Sequence, residues 1–327
     1  MNPQTSPEPL WRKRLAALAH SWPGTRRGEV EALHLSRVAL RRIREALPVA
    51  FPGANKTKLK KLSSKLRAIT RALGPVRQLD VELGVLGELD EVMPVHRAAL
   101  EPVRHAIVAE RKKRRERMRD RVDEIGVKRL GRKLERLGEE SDAGHERVTA
   151  AAWRNALAVR TVRRAKRLKE ALDAAGAIYM ASRIHDVRIA VKRLRYVLEM
   201  AEEAGLPQVG ALIQSLKGMQ KMLGRLNDLQ SLLDRIRDVE ASADPGQARL
   251  GFRRVTRSLE QECRRLHGQF VVGRTALSEV ADAARHELAR EMTAGRLRPA
   301  RAVSMRRKRY SSGVGPTASA QRTSRSR

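Results

Sequence analysis

The sequence predicts an all-α, internally duplicated protein, and three observations carry that prediction. Hydrophobic residues make up 41% of the 327 positions and are mostly Leu, Ala and Val, with only three each of Trp, Tyr and Phe; this suits helices packed through aliphatic seams. The apolar residues recur at spacings of three and four, as in Leu59, Leu62, Leu66, Ile69 and Leu73. Finally, the chain repeats itself. Leu33-His34-Leu35-Ser36-Arg37-Val38-Ala39-Leu40-Arg41-Arg42-Ile43-Arg44 matches Ile184-His185-Asp186-Val187-Arg188-Ile189-Ala190-Val191-Lys192-Arg193-Leu194-Arg195 at an offset of 151 residues.

Helical geometry says what the repeated segment offers. At about 100° per residue, His185, Arg188, Lys192 and Arg195 share one quadrant, with Ile184, Val187, Val191, Leu194 and Leu198 beside them. Such a helix buries its apolar stripe and aims the cationic one along a groove of about 15 Å. One stripe alone would read as a solvated face; two copies in the same register favour the groove.

Taken in order, residues 1–27 carry Pro3, Pro7, Pro9 and Pro23 around a short helical patch, Leu10 to His20, and read as a flexible leader. The first signature helix runs from Gly28 to Leu47, stopped by Pro48 and Phe51-Pro52-Gly53. A second, Lys56 to Leu73, sets the ladder Lys58, Lys61 and Lys65 beside its seam, where it is expected to join the first stripe. Gly74-Pro75 ends that helix and starts the next. A helix of about thirty residues follows Pro94, and its run from Arg111 to Arg117 is expected to be mostly solvated. Gly138 to Gly144, acidic and rich in small residues, is the expected linker.

In the second half a basic helix, about Val148 to Ala174, leads to the second signature helix, 182 to 204, which Gly205-Leu206-Pro207 stops. The next is expected to end at Gly224, because Leu216 to Gly224 aligns with Leu66 to Gly74 at an offset of 150. Two last helices are expected at roughly 247–270 and 275–294. From 296 to 327 the chain is rich in Arg and Ser, with Gly and Pro, few apolar residues and no acidic residue, a composition that predicts a disordered cationic tail.

The formal net charge is +32 and the isoelectric point near 11.5, so a polyanionic partner is expected: nucleic acid, anionic membrane or polyphosphate. No stretch approaches the roughly 18 apolar residues of a membrane span, and the N-terminus lacks a signal-peptide core. A cytoplasmic protein without membrane insertion is the expectation. The single cysteine, Cys263, excludes an intramolecular disulfide and a cysteine metal cluster.

The two histidine-led helices and the two Leu-Gly turns resemble the CHAD family, the conserved histidine α-helical domain. The resemblance covers roughly 28–290, with repeats of about 28–140 and 145–290. It rests on His34, Arg37, Arg41, Arg42 and Arg44 with Leu73-Gly74, Arg77 and Leu79-Asp80-Val81. The second set is His185, Arg188, Lys192, Arg193, Leu194, Arg195 and Tyr196 with Leu223-Gly224 and Leu226-Asn227-Asp228-Leu229. Gln78, Asn227 and Gln230 depart from the family's usual residues. The resemblance implies two pseudo-twofold-related four-helix bundles of long antiparallel helices around a basic central cavity. It also implies binding of inorganic polyphosphate and association with polyphosphate granules. No β-rich triphosphatase segment precedes residue 28, so binding without hydrolysis is expected, with no cofactor and no metal.

The expected track comprises His34, Arg37, Arg41, Arg42, Arg44, Lys65, Arg67, Arg71 and Arg77 from one half. From the other come His185, Arg188, Lys192, Arg193, Arg195, Lys217 and Lys221. Arginine offers bidentate donors to phosphate oxygens and lysine a mobile point charge. The histidines admit three readings: a structural hydrogen bond across the bundle, a phosphate contact, or metal ligation or phosphotransfer. Two functional alternatives are open. One is non-specific nucleic-acid binding through the tail and the Arg111–Arg117 run, although the scarcity of aromatic stacking platforms argues against single-strand recognition. The other is a granule scaffold that recruits a protein partner.

Overall fold

A computed structural model describes residues 8–143, 150–205, 207–242 and 248–297, and every regular element among them is helical. The helices are α1 (Glu8–Arg27), α2 (Val30–Ala50), α3 (Lys56–Ala72), α4 (Gly74–Val92), α5 (Arg97–Ile125), α6 (Val127–Ala143), α7 (Ala150–Ala175), α8 (Ala181–Glu203), α9 (Gly210–Ser242) and α10 (Ala248–Leu297). Helices α7, α8, α9 and α10 pack as a closed ring, each against the next and α10 back against α7. In the first half α1 lies on α2, α2 on α3, and α3 on α5.

Two apolar cores result. The smaller joins α1, α2 and α3 with the end of α5 and α6, through residues such as Leu18, Leu40, Ile43, Leu66, Val122 and Leu134. The larger fills the α7–α10 ring and takes in Leu86 and Leu89 of α4 with Val103 and Ile107 of α5. Thus α4 and the front of α5, though early in sequence, pack with the second half.

Four expected boundaries are corrected by continuous burial. The flexible leader is helical from Glu8: Trp11 and Leu18 of α1 are buried, the Trp11 ring lies 5.7 Å from that of Phe51, and Ser21, Thr25 and Ser36 form a hydroxyl cluster between α1 and α2. The linker from Gly138 falls within α6 up to Ala143, because Leu130, Leu134 and Leu137 anchor that helix in the smaller core. Helix α9 passes through Gly224, since Leu223, Leu226, Leu229 and Leu233 keep the seam buried across it; a mid-helix glycine costs only about 1 kcal/mol, less than burying one leucine contributes. For the same reason the two last helices are one, with Val255, Leu259, Cys263, Leu266, Phe270, Leu277, Ala281 and Leu288 buried along α10. Residues 144–149 and the tail from 298 lie outside the described residues.

The basic run on α5 is mostly exposed, as expected, with Arg111 and Arg115 half-buried. The chain reverses between α1 and α2 at Gly28, whose φ of 77° suits glycine. Three arginines one helical turn apart reach the carbonyls exposed there: Arg111 Nη2 donates to Gly28 O at 3.1 Å, Arg115 Nη2 to Arg27 O, and Arg119 Nε to Arg26 O at 3.0 Å. Cationic donors at a helix C-terminus satisfy orphan carbonyls and oppose its negative dipole end. Arg111 Nε also donates to the buried Asp80 carboxylate at 2.6 Å, which gives that signature aspartate a structural partner.

Candidate anion-binding cavity

Helix α2 buries Leu33, Leu40, Ile43 and Leu47, and α8 buries Ile184, Val187, Val191, Leu194 and Leu198. Because α2 packs on both α3 and α8, the cationic stripes beside those apolar faces turn toward a common gap. A cavity of about 170 Å³ opens there. Its walls are Arg41, Arg44 and Glu45 of α2, Arg67, Thr70 and Arg71 of α3, and Ile189, Lys192, Arg193 and Tyr196 of α8.

A second cationic group adjoins the first through Arg41 and Lys192. Arg37 Nη1 donates to Thr70 O at 3.1 Å and lies over Gly74, where a β-carbon would come within 3.2 Å of it; the small residue leaves the guanidinium its place. Burial, then Arg41, Arg77 and Arg188, lower the Arg37 pKa to about 10. Burial, then Arg188 and Arg41, lower Lys192 to about 7 against the opposing pull of Asp228. Arg188 is also lowered, first by burial, and its Nε is buried with no hydrogen-bond partner. His34 is lowered by burial and by Arg77, so its neutral form is favoured. Asp228 is raised by burial despite accepting from Asn227 Nδ2 at 3.3 Å.

At the other end burial is again the largest influence lowering Arg44 and Arg193. Glu45 is buried yet ionised. Arg160 and Arg164 of α7 each reach its Oε2 at 2.7 Å, and together they outweigh the upward push of burial. Its hydrogen bonds go to Arg160 and Arg164, while its charge still acts on the neighbouring Arg44 and Arg193, raising both against the effect of burial.

His34, Arg37, Arg41, Arg44, Arg67, Arg71, Arg77, Arg188, Lys192 and Arg193 are thus brought together along α2, α3, the start of α4 and α8. Others are not. Arg195 is buried against α9, donating from Nε to Gln220 Oε1 at 2.8 Å, paired with Glu199 and stacked 4.8 Å from the Tyr196 ring centre. Arg42 pairs with Glu199 at 2.9 Å across the same ring. Lys217 and Lys221 are exposed on α9, outside the cavity wall. Lys65 faces Lys133 and Arg129 on α6, so the Lys58–Lys61–Lys65 ladder does not join the first stripe.

His185 lines a second cavity, of about 480 Å³, with Tyr179, Asn227, Gln230 and Asp234, and Arg188 of the cationic group lines it too. Its Nδ1 lies 3.2 Å from Asn227 Oδ1 and 3.4 Å from Arg188 Nη2. With the Asn227 amide donating to Asp228, its oxygen is free to accept the His185 Nδ1 proton. Gln230 likewise links Tyr179 Oη, at 2.8 Å, to Asp234, at 2.9 Å. The two departures in the second motif therefore form hydrogen bonds of their own.

Sequence reasoning missed Tyr196 and Thr70 as wall residues and Arg160 and Arg164 as the cations that engage Glu45. The i,i+4 spacing of Arg160 and Arg164 on a basic helix is visible in the sequence, but the partner lies on a different helix. Among the described residues no three His, Cys, Asp or Glu side chains meet as a metal site.

Comparison with known proteins bears on this arrangement. The family model for the CHAD domain matches residues 10–237, and the chain belongs to the CHAD family. The matched span begins inside α1, in keeping with its burial. The crystal structure of the CHAD domain from the plant Ricinus communis aligns with a TM-score of 0.54 at 19% identity, covering 86% of this chain and 89% of that one. At that identity the likeness is one of fold. No curated protein matches. Among the described residues no helix is long and apolar enough to cross a membrane.

Proposed function

We propose that this chain binds inorganic polyphosphate, without hydrolysing it, in the cavity between α2, α3 and α8, and that it does so at polyphosphate granules. The observation that carries the reading is electrostatic. Arg37, Arg41, Arg77, Arg188 and Lys192 act on one another through a half-buried gap, and Asp228 is the carboxylate that opposes them there. Like charges held together and partly desolvated disfavour their own charged forms. A polyanion threaded among them reverses that penalty. Internal phosphates each carry about one negative charge and look alike, so a row of guanidinium forks suits them. The CHAD family is linked in general to polyphosphate binding, which supports the same reading.

The contacts belong to His34, Arg37, Arg41, Arg44, Arg67, Arg71, Arg77, Arg188, Lys192 and Arg193. The cavity lies within an internally duplicated pair of bundles: α1 corresponds to α7, α2 to α8, α3 with α4 to α9, and α5 with α6 to α10. The helix ranges support this, because α9 and α10 each span, at an offset near 150, a pair of first-half helices.

Labelled long-chain polyphosphate at physiological salt, challenged with duplex DNA, RNA and short phosphates, tests the proposal. Polyphosphate is expected to win against each. Arg41→Ala/Lys192→Ala should lower its affinity by about 100-fold or more, since each charge-assisted hydrogen bond is worth about 1.5–3 kcal/mol. Equal competition by nucleic acid, with that variant unaffected, would move the function to the basic surface outside the cavity.

A further inference from the structure

The chain carries its own comparison for this site, because the sequence repeat sets each residue at one end of the cationic gap against a counterpart at the other. Leu35, Arg77, Gln78 and Gly84 stand at the register positions of Asp186, Asn227, Asp228 and Asp234, at an offset of 151 in the signature helices and 150 after them. Each of these four exchanges makes the second half the more negative. Three nearby exchanges run the other way: Glu31 for Ser182, Ala32 for Arg183, and Asp80 for Gln230, of which Asp80 is already paired with Arg111. Where the charges fall decides between them.

Along α8 the lining changes sign over two turns. Lys192 and Arg193 line the cavity between α2, α3 and α8; Arg188, one turn back, lines the second cavity, where His185 and Asp186 meet Asn227 and Asp234 of α9. The polar groups there are engaged with one another: His185 with Asn227, Asn227 with Asp228, and both Tyr179 and Asp234 with Gln230. At the first-half end His34 has the Arg77 cation acting on it instead. The contrast is sharpest at the equivalent pair Arg37 and Arg188. After burial, the charges that act most on Arg37 are Arg41, Arg77 and Arg188, whereas the charge that acts most on Arg188 is Asp228. Arg188 already has a counter-charge, and Arg37 is set among cations.

We propose that Asp228, with Asp186 and Asp234 beyond it, makes the site one-sided: a bound polyphosphate chain runs from Arg44, Arg67, Arg71 and Arg193 through the gap and out past Arg37, His34 and Arg77, and is turned away from the His185 cavity. The inference rests on the polyphosphate reading and adds the route and the residue that sets it. A phosphate entering the His185 cavity brings its charge close to Asp186, Asp228 and Asp234 and displaces hydrogen bonds already made. A phosphate leaving past Arg77 meets a guanidinium fork. The two signature histidines therefore part in role: His34 lies on the ligand's path, and His185 braces α8 against α9 through Asn227.

The test uses the full chain. Val30→Cys and Ala181→Cys place a thiol at equivalent exposed positions one turn before His34 and His185, and the native Cys263 is buried. An uncharged maleimide reads their accessibility with and without long-chain polyphosphate at physiological salt. Val30→Cys is expected to lose reactivity when polyphosphate is bound, and Ala181→Cys to react at its free rate. Asp228→Gln installs the first-half residue; it should tighten binding by about three- to tenfold, the effect of one nearby charge at an effective dielectric between protein and water, and extend protection to Ala181→Cys. Glu279→Gln, the same change at an exposed carboxylate of α10, should alter affinity by less than about twofold, since salt screens it. Equal protection of the two thiols, protection of Ala181→Cys alone, or a gain in Asp228→Gln no larger than in Glu279→Gln would overturn the route, while the loss of affinity in Arg41→Ala/Lys192→Ala kept polyphosphate binding standing. If that double variant bound as tightly as the parent, the polyphosphate site would fail and the route with it.

Discussion

Helices α2 and α8 carry one register of histidine and cations, yet equivalent side chains meet different fates. Arg44 opens onto the cavity, whereas its counterpart Arg195 is buried against Gln220 and Glu199. The difference begins one turn on. Glu199 stands four residues after Arg195 and pairs with it, while the residue four after Arg44 is Pro48, which has no charge to offer. Conversely Arg42 reaches Glu199, and its counterpart Arg193 lines the cavity. Availability of a cation is decided by the nearest unmatched carboxylate rather than by the cation's place in a motif.

The comparison breaks most readily at that equivalent pair. Arg44→Ala should weaken polyphosphate binding by about 10- to 100-fold, the loss of one charge-assisted contact, and leave thermal stability nearly unchanged. Arg195→Ala should do the reverse. Its truncation leaves the buried side of Glu199 and Gln220 short of a donor, a loss of about 2 kcal/mol in stability, while affinity stays within about threefold. Titration calorimetry and denaturant unfolding on both variants read the two effects. Equal affinity losses would show that Arg195 leaves its buried site to meet the ligand.

A second contrast concerns Arg41 and Lys192, which are also equivalent but differ in whether their charge can be removed near neutrality. Lys192 has its folded pKa depressed to about 7, far below its unfolded value of roughly 10.4. Between those two values the unfolded chain holds a proton that the folded chain lacks, so this group makes stability rise with pH from about 7 toward 10. Ligand binding has the opposite sign. A polyanion restores the ammonium, so binding takes up a proton and affinity falls above pH 7, by at most about tenfold per unit. Calorimetry in buffers of different ionisation heat should show proton uptake near pH 7.5. Lys192→Arg should bind without it, and an unchanged uptake would place the titrating group elsewhere.

Much of this was legible in the chain. The three-and-four spacing identified the helices, and the repeated register singled out α2 and α8, both of which line the candidate cavity. Gly74, Arg77 and Lys192 stood in the quoted motifs and fell where cations converge. What was hidden depends on which helices become neighbours. Lys65 has the spacing of a stripe residue but faces α6, and Arg160 and Arg164 engage Glu45 from 115 and 119 positions away. Boundaries failed where local signals met long burial: Gly224 and the prolines of α1 and α2 mark stops in an isolated peptide, but buried seams such as Leu223 to Leu233 outweigh them.

The subtlest way to sharpen the α2–α8 contrast is to remove the shared carboxylate instead of a cation. Glu199 engages both Arg195 and Arg42, and Glu199→Gln keeps its size while discarding its charge. If carboxylate matching is what withholds these arginines, the substitution should free Arg42, which is partly exposed and stacks on the cavity-wall ring of Tyr196. Polyphosphate affinity should then rise a few-fold. Stability should fall by about 1–2 kcal/mol, because Arg195 stays buried with only Gln220 and a neutral amide. The two changes have opposite directions, so their joint measurement separates them from general loosening, which would lower both. If affinity fell along with stability, Glu199 would be acting as a brace that holds Tyr196 and the cavity wall in place, and the division between free and matched cations would have to be redrawn around that ring.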